Sequence, residues 1–272
     1  TDIINIEKIN EILSNKDSDI NPYFEKFKTH QFIIDNKENF FSIYLSDYGI
    51  VLLNSSSLDQ AVEIVRRRVD ETGTNEPNIL KRGNNRILVE LPGLDDPARI
   101  KSLLGKTANL TFQFVSSNEN DDFGTEILKF DNEIDEATVS KRIILNGDNL
   151  VDAKPRVDTQ SNETIVSFTL DRVGAKKFGR ATTENVGKQL AIVLDGKIIS
   201  APSIREPILG GSGQISGNFT FQSATDLALL LRSGALPAPM NIIEERTVGP
   251  DLGKDSIKAG ILSLIVGFSL VV

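Results

Sequence analysis

The sequence predicts an α+β fold of two modules, followed by the start of a membrane-spanning helix. Three observations predict it. Amphipathic helices that end at glycines alternate with short strand-like runs from residue 40 to residue 236. In the first module the elements run β, α, β, β, α, β, which is the split βαβ or ferredoxin-like order. The last residues, 257–272, form an apolar run.

Composition limits the function classes. The chain has 272 residues, a net charge of -8, no Cys and a single His. An acidic chain lacks the basic surface that binds phosphates, so no nucleic-acid partner is expected. Without Cys there are no disulfides or thiolate sites, and His30 alone cannot make a multi-His metal site. We therefore predict no metal and no cofactor.

Residues 1–39 are expected to be an N-terminal appendage, and residues 40–115 the first module. Residues 40–53, FFSIYLSDYGIVLL, indicate strand material broken at 47–49. An amphipathic helix should follow, with Ser57 as its N-cap and Gly73 as its stop.

The rest of the first module is a hairpin, a short helix and a closing strand. Strands near 78–81 and 86–91 are joined by turn residues, and Asp96 caps a helix that has Pro97 at its first position. The expected core of the module is Leu58, Val62, Val65, Val69, Ile87, Val89, Leu103, Leu110, Phe112 and Phe114.

The second module begins with an acidic, turn-rich excursion, residues 116–139. The patterns then predict strands at 142–145 and 164–170, a helix over 171–186, a hairpin that turns at Asp195-Gly196, and a helix from Ser223 to Gly234. A final strand is expected at 241–248.

No catalytic site is apparent in the sequence. The glycines of residues 209–217 lack the Lys-Ser/Thr pair of a phosphate loop, and residues 218–221 read as a strand, so a flexible connection is favoured. Asp121, Asp122, Asp131 and Glu133 do not follow EF-hand spacing and indicate an acidic surface loop. The single His, His30, lies in the poorly patterned N-terminal part, so the sequence identifies no candidate base for any Ser or Thr. A binding or mechanical device is favoured over an enzyme.

The C-terminal run contains one charge, Lys258, followed by AGILSLIVGFSLVV. About 20 apolar residues are needed to cross a bilayer, and shorter runs are often buried helices. We expect 257–272 to be a membrane helix cut short by the end of the chain. A C-terminal core helix is the alternative.

Several long motifs stand in one order along the chain. They are Arg67–Val69, Thr72–Pro77, Asn85–Gly93, Leu103–Phe112, Gly174–Phe178, Asn185–Gly196, Leu229–Pro237 and Glu245–Gly253. Across residues 58–272 these motifs resemble the SecD family of bacterial protein-export membrane proteins. Residues 1–54 carry no part of the resemblance.

The resemblance implies a ferredoxin-like base, residues 40–115, and an inserted head, residues 116–236. Residues 237–253 would be the return strand and the segment that leads to the membrane, with the motif Gly249, Pro250, Leu252 and Gly253. It also implies a position on the periplasmic side of the bacterial inner membrane, with SecF and the SecYEG channel as partners. There, after the motor SecA has begun export, the proton motive force would drive head movements that pull or trap unfolded exported polypeptides.

Two sets of residues are candidates for that role. Hinges are predicted where the head joins the base, at Ser116, Leu236, Pro237 and Pro239, because Pro restricts bending to its neighbours. A surface for unfolded chains should expose apolar side chains and strand edges, and its candidates are Ile208, Leu209, Phe219 and Phe221. Ordinary head core is the alternative for these four. The proton-coupling residues would lie outside this chain.

Two other functions remain open from the sequence. One is a membrane-tethered α/β domain that binds a ligand or catalyses a reaction at the Gly210–Gly217 loop. The other is a structural spacer that binds neither polypeptide nor nucleotide.

Overall fold

The structure, a computed structural model, describes residues 6–16, 20–21, 24–37, 40–74, 76–93, 96–116, 124–132, 134–159, 161–246 and 251–271. It contains two compact units, residues 1–240 and residues 241–272.

The first unit opens with two short helices and an antiparallel hairpin. These elements are α1 (Ile6–Leu13), α2 (Phe24–Phe27), β1 (Phe32–Lys37) and β2 (Phe40–Leu45). Helix α3 (Asp47–Glu71) begins eleven residues earlier than Ser57 would have placed it, because the hydroxyl of Ser46 accepts the backbone N–H of Gly49. The expectation of strand beyond Gly49 is therefore wrong. The predicted stop is confirmed, since Gly73 follows the helix with φ +75°.

The next elements follow the predicted order. They are β3 (Asn78–Arg82), β4 (Arg86–Glu90), α4 (Pro97–Gly105) and β5 (Leu110–Phe114). Asp96 caps α4 through the backbone N–H of Arg99.

The sheet partners of these strands differ from the expectation. Strand β2 pairs with β1, the β3–β4 hairpin stands alone among the described strands, and β5 joins a four-stranded sheet in the head. Residues 110–113 of β5 are all buried, so this strand needs neighbours on both edges and cover on both faces. The structure does not confirm a ferredoxin-like base.

The head contains two main sheets, a small hairpin and two helices. Its elements are β6 (Thr125–Lys129), β7 (Glu136–Ser140), β8 (Leu145–Asn146), β9 (Leu150–Val157), β10 (Thr164–Leu170), α5 (Arg172–Glu184), β11 (Leu190–Leu194), β12 (Lys197–Ser200), β13 (Ser212–Phe219) and α6 (Phe221–Ser233). One sheet has the order β12-β11-β5-β8 and the other the order β13-β10-β9. The hairpin turn at Asp195 and Gly196 is confirmed, with φ +50° and +79°.

Three expectations in the head need correction. The strand expected at 142–145 is reduced to β8, and α6 begins two residues before Ser223 because Thr220 is its N-cap. The glycine-rich segment is not a flexible connection, since most of it forms β13. A Cβ on Gly213 would lie 2.5 Å from Cζ of Phe168, so glycine is required for that ring to pack against the strand.

The largest core lies between the two sheets of the head and is shared with α6. Its centre is an aromatic group, Phe112, Phe168 and Phe178, with ring centroids 5.6–6.3 Å apart. The predicted core residues of the first module do not form one cluster. Val65 and Val69 pack against the β3–β4 hairpin, whereas Leu110 and Phe112 belong to the head core.

The second unit contains α7 (Asp251–Val271), and residues 241–246 form no strand, contrary to the expectation for 241–248. No helix among the described residues is long and apolar enough to cross a membrane. Four charged residues lie in the first eight positions of α7, which leaves thirteen uncharged residues, 259–271. That run is shorter than the roughly 20 residues a span requires.

Candidate functional site: the head and its contacts with the base

Helix α6 belongs to the cores of both the head and the base. Its residues Ala224, Leu227, Ala228 and Leu231 pack into the head core. On its other side, Leu229 and Leu230 pack against Ile100, Leu103 and Ala108 of the base. Because apolar residues of α6 pack on both sides, the helix fixes the position of one part against the other.

A buried arginine of α3 connects the same parts. Arg68 is fully buried, and its Nη1 donates to the carbonyl oxygens of Leu103 at 2.7 Å and Lys106 at 2.5 Å. Its Nη2 donates to the carbonyls of Thr107 at 3.3 Å and Gly234 at 3.2 Å. Burial lowers the pKa of Arg68 to about 10, and the charge of nearby Asp195 partly opposes this. The guanidinium is therefore still charged at neutral pH.

Two ion pairs add to this connection. Arg99 of α4 donates to one oxygen of Asp226 on α6 from Nε at 3.0 Å and from Nη2 at 2.7 Å. Arg232 of α6 pairs with Glu71 at the end of α3, at 2.6 Å and 3.2 Å. The third nitrogen of Arg232 donates to the carbonyl of Ala153 at 2.5 Å. Because these side chains are partly buried, salt screens the attraction within the two ion pairs less than it would in exposed pairs.

Asp195, in the hairpin turn between β11 and β12, holds a loop of the base. Its carboxylate accepts Thr107 Oγ1 at 2.5 Å and the backbone N–H groups of Ala108 at 3.1 Å and Asn109 at 2.8 Å. Ala108 has φ +59°, a conformation that non-glycine residues seldom adopt. The hydrogen bonds to Asp195 hold the loop in that conformation.

The predicted hinge residues lie in different surroundings. The N–H of Ser116 donates to Thr138 at 2.8 Å. Leu236 is buried against Ala61 and Ile64 of α3. Pro237 and Pro239 are exposed. Their role as hinges stays a prediction.

The four predicted polypeptide-binding residues fall into two pairs at opposite ends of β13. Leu209 is 72% exposed and Phe221 61% exposed. Ile208 and Phe219 are half-buried and pack against the head core, as the core alternative expects. The strand between the pairs has eight residues, so the pairs lie roughly 20 Å apart. The binding role of these residues stays a prediction.

The remaining predicted sites lie in the second unit or in β13. Gly249 and Pro250 are outside the described residues, whereas Leu252 and Gly253 lie in the first turn of α7. The Gly210–Gly217 segment is an edge strand for most of its length, and no helix N-terminus follows its glycines directly.

Sequence reasoning missed the polar groups that join base and head. A signal for Arg68 was present, because it lies three residues after Val65 and one before Val69, on the apolar side of α3. The ion pairs Arg99–Asp226 and Arg232–Glu71 join residues more than 120 positions apart, and sequence spacing alone cannot reveal such pairs.

Two family profiles match the chain in the same two parts. The N-terminal P1 domain of the protein translocase subunit SecDF matches residues 58–117, and the SecDF P1 head subdomain matches residues 125–238. Fold and matches together define the class, the P1 domain of a protein translocase subunit.

Comparisons with individual proteins support the same class. The SecD subunit of Acetobacter pasteurianus is 48% identical over 250 residues, which are 86% of this chain and 48% of that protein, and the SecD of Rickettsia bellii is 46% identical over 246 residues, 88% and 48%. A solved structure of SecDF, described as a membrane component that enhances protein export, is 33% identical with a TM-score of 0.60, over 71% of this chain and 94% of that one. SecDF in its super-membrane-facing form is 35% identical with a TM-score of 0.61, over 78% of this chain and 31% of that one. The chain belongs to the SecD family, and it spans about half the length of the curated relatives it matches.

Proposed function

We propose that this chain is the part of a SecD subunit that binds emerging unfolded polypeptide and moves to complete its translocation. The observation that carries the proposal is the head itself, which contains two sheets, an edge strand, β13, and exposed apolar side chains at both ends of that strand. Apolar side chains and open strand edges bind many sequences, because they require no particular polar partner.

The membership of the family supports the surroundings we propose. The domain would lie on the periplasmic side of the bacterial inner membrane, beside SecF and the SecYEG channel. Helix α7 would lead into the bilayer through its uncharged residues 259–271. The proton motive force would act through membrane helices outside this chain.

Movement of the head on the base would have to break specific contacts. The pairs Arg99–Asp226 and Arg232–Glu71 cross the boundary between residues 40–115 and 116–236. Strand β5 would move with the head, because it pairs with β11 and β8. Exposed Pro237 and Pro239 are where the chain could bend without disturbing a core. The contacts would make the observed arrangement one of two positions of the head.

A cross-link between head and base tests this function. Arg99 of α4 and Asp226 of α6 meet at 2.7 Å, and residues 1–272 contain no cysteine, so an Arg99→Cys, Asp226→Cys pair can be joined by a short bifunctional thiol reagent. In the full-length protein, the cross-linked pair should arrest export at a late stage while SecA-driven initiation proceeds. The measurement is the accumulation of partly translocated precursor in membrane vesicles.

The double variant without the reagent and each single variant with it are the controls, because they lose the Arg99–Asp226 ion pair without gaining the cross-link. They should export precursor at nearly the rate of the parent protein. Normal export with the cross-link verified as complete would refute the proposed movement.

A further inference from the structure

The exposed side of helix α5 carries a row of like charges. Arg172, Lys176 and Arg180 follow one another at intervals of four residues, so they lie along one side of the helix, and all three are exposed. Among the residues that the structure describes, none of the three forms an ion pair with a carboxylate. Like charges at this spacing destabilise a helix, and in a chain of net charge -8 the row stands out as a basic surface.

The acidic residues of this helix only partly offset the row. Asp171 is the N-cap, and its carboxylate accepts the N–H of Gly174 and the side-chain amide of Asn149. Glu184, the last residue of α5, lies four residues after Arg180 and so ends the row with one negative charge. With Lys177, which lies beside the row, the helix contains four basic residues and one acidic residue.

The basic row borders exposed apolar side chains. The segment before β13 runs along α5, where the N–H of Ile208 donates to Oγ1 of Thr182 and the side chain of Leu209 lies against Gly179. Gly179 lies three residues after Lys176 and is therefore its neighbour on the helix surface. Leu209 is thus an exposed apolar residue beside the row, and Val173, 53% exposed, lies on the same helix.

An edge strand begins next to this surface. Gly211 accepts a hydrogen bond from the N–H of Leu170, and β13 starts at the following residue. Among the described strands, β13 pairs with β10 alone. Farther along the strand, Ser216 lies 3.5 Å from Ser200 of β12, so an added chain would pair with the first residues of β13, next to Leu209. A strand edge supplies main-chain donors and acceptors, which a lipid head group cannot use in series but an extended polypeptide can.

We propose that the head selects polypeptide segments that are extended, acidic and apolar, and that it binds them along the start of β13 with their carboxylates on the basic row of α5. This rests on the proposed function and names the substrate class of the same site. Basic segments of an exported chain would be repelled from this surface and would slide past it.

The test uses the whole chain and three labelled peptides of about twelve residues, long enough to cover the strand edge. The peptides share the same Val and Leu positions and carry Glu, Lys or Gln at the remaining variable positions. Fluorescence anisotropy should show the Glu peptide binding most tightly and the Lys peptide most weakly, with a preference that shrinks as salt is added. Lys176→Gln with Arg180→Gln should weaken binding of the Glu peptide about fivefold and leave the Gln peptide nearly unchanged.

Lys154→Gln with Arg156→Gln is the matched control, because it removes the same charge from β9 at the other edge of the same sheet. It should change each affinity by less than about twofold. Leu209→Ser should weaken the binding of all three peptides to a similar extent. Equal loss in the control pair would overturn the proposed site.

The remaining outcomes separate the two proposals. Equal binding of all three peptides would overturn the charge preference and leave polypeptide binding intact. Binding of no peptide would instead refute the proposed function. Binding of the protein to vesicles of phosphatidylglycerol and phosphatidylcholine is measured as the last comparison. If vesicle binding, rather than peptide binding, is lost in the Lys176→Gln, Arg180→Gln variant, the row serves a membrane surface and the inference is wrong.

Discussion

Arg68 is a buried charge that is stabilised by hydrogen bonds to carbonyl oxygens and not by contact with a carboxylate. Leu103 lies in the last turn of α4 and Gly234 is the C-cap of α6, and helix C-termini carry partial negative charge. The guanidinium therefore satisfies carbonyl groups that the helices leave without donors. One side chain of the base thus orders the ends of two helices, one from each part of the protein.

Replacing Arg68 should destabilise the folded protein. Arg68→Met fills similar space but leaves several buried carbonyls without a donor, and we expect it to lower the free energy of unfolding by about 3–5 kcal/mol. Urea denaturation followed by circular dichroism measures the change. Arg66→Met is the control, because Arg66 is exposed and bonded only at the surface to Glu63, and it should cost less than about 0.5 kcal/mol. A similar cost for both would contradict the role of Arg68.

Asp171 should make stability depend on acid pH. Hydrogen bonds from the N–H of Gly174 and the side chain of Asn149 hold its pKa below the ordinary value of 3.8. The unfolded chain therefore binds this proton more readily, so the stabilisation is present above pH 3.8 and is lost as the pH falls through the lower, folded pKa.

Asp171→Asn keeps an N-cap but removes the charge. The difference in urea midpoint between this variant and the parent should be clear at pH 7 and should shrink near pH 3. A difference that is constant across this range would show that the carboxylate charge contributes nothing.

At the scale of elements, the glycines of β13 act through packing and not through flexibility. The Cβ of an alanine at residue 213 would meet the ring of Phe168, which lies in the aromatic centre of the head. Gly213→Ala should therefore lower the free energy of unfolding by about 1–3 kcal/mol.

Gly210→Ala provides the comparison within the same segment. No atom lies within 4 Å of a Cβ at residue 210, so this change should be within about 0.5 kcal/mol of the parent. Chemical denaturation of both variants measures the contrast. Equal effects would mean that the segment behaves as the flexible connection that its composition suggested.

At the scale of the whole molecule, residues 1–240 should unfold together. Helix α6 contributes to the cores of base and head, and polar groups join the parts around it. Scanning calorimetry should give one transition whose calorimetric and van't Hoff enthalpies agree. Two resolved transitions would show that base and head are thermodynamically independent.

Deleting residues 257–272 should leave that transition in place, because α7 belongs to a separate unit. We expect the midpoint to change by no more than about 2 °C when both proteins are measured in the same detergent. Loss of the cooperative transition would show that the apolar tail is part of a core, which was the alternative that its sequence left open.

The sequence by itself determined the elements whose signals are local. Asp96 and Asp171 cap the helices that follow them, Gly73 ends α3, and Asp195-Gly196 turns the hairpin, because each acts on backbone groups within a few residues. The ordered motifs also determined the family. The sequence does not predict the start of α3, because the apolar residues that follow Ser46 also fit a strand.

Only the tertiary structure decided which strands pair and which side chains join base and head. Alternation along β5 predicts burial of Leu110 and Phe112 but not of Thr111 and Gln113, which are buried because β5 pairs with β11 and β8, segments that its own sequence does not contain. The position of Arg68 on the apolar side of α3 is a local signal, but its partners are not local. Its burial, and the carbonyl of Gly234 that it binds 166 residues away, exist only once the chain has folded.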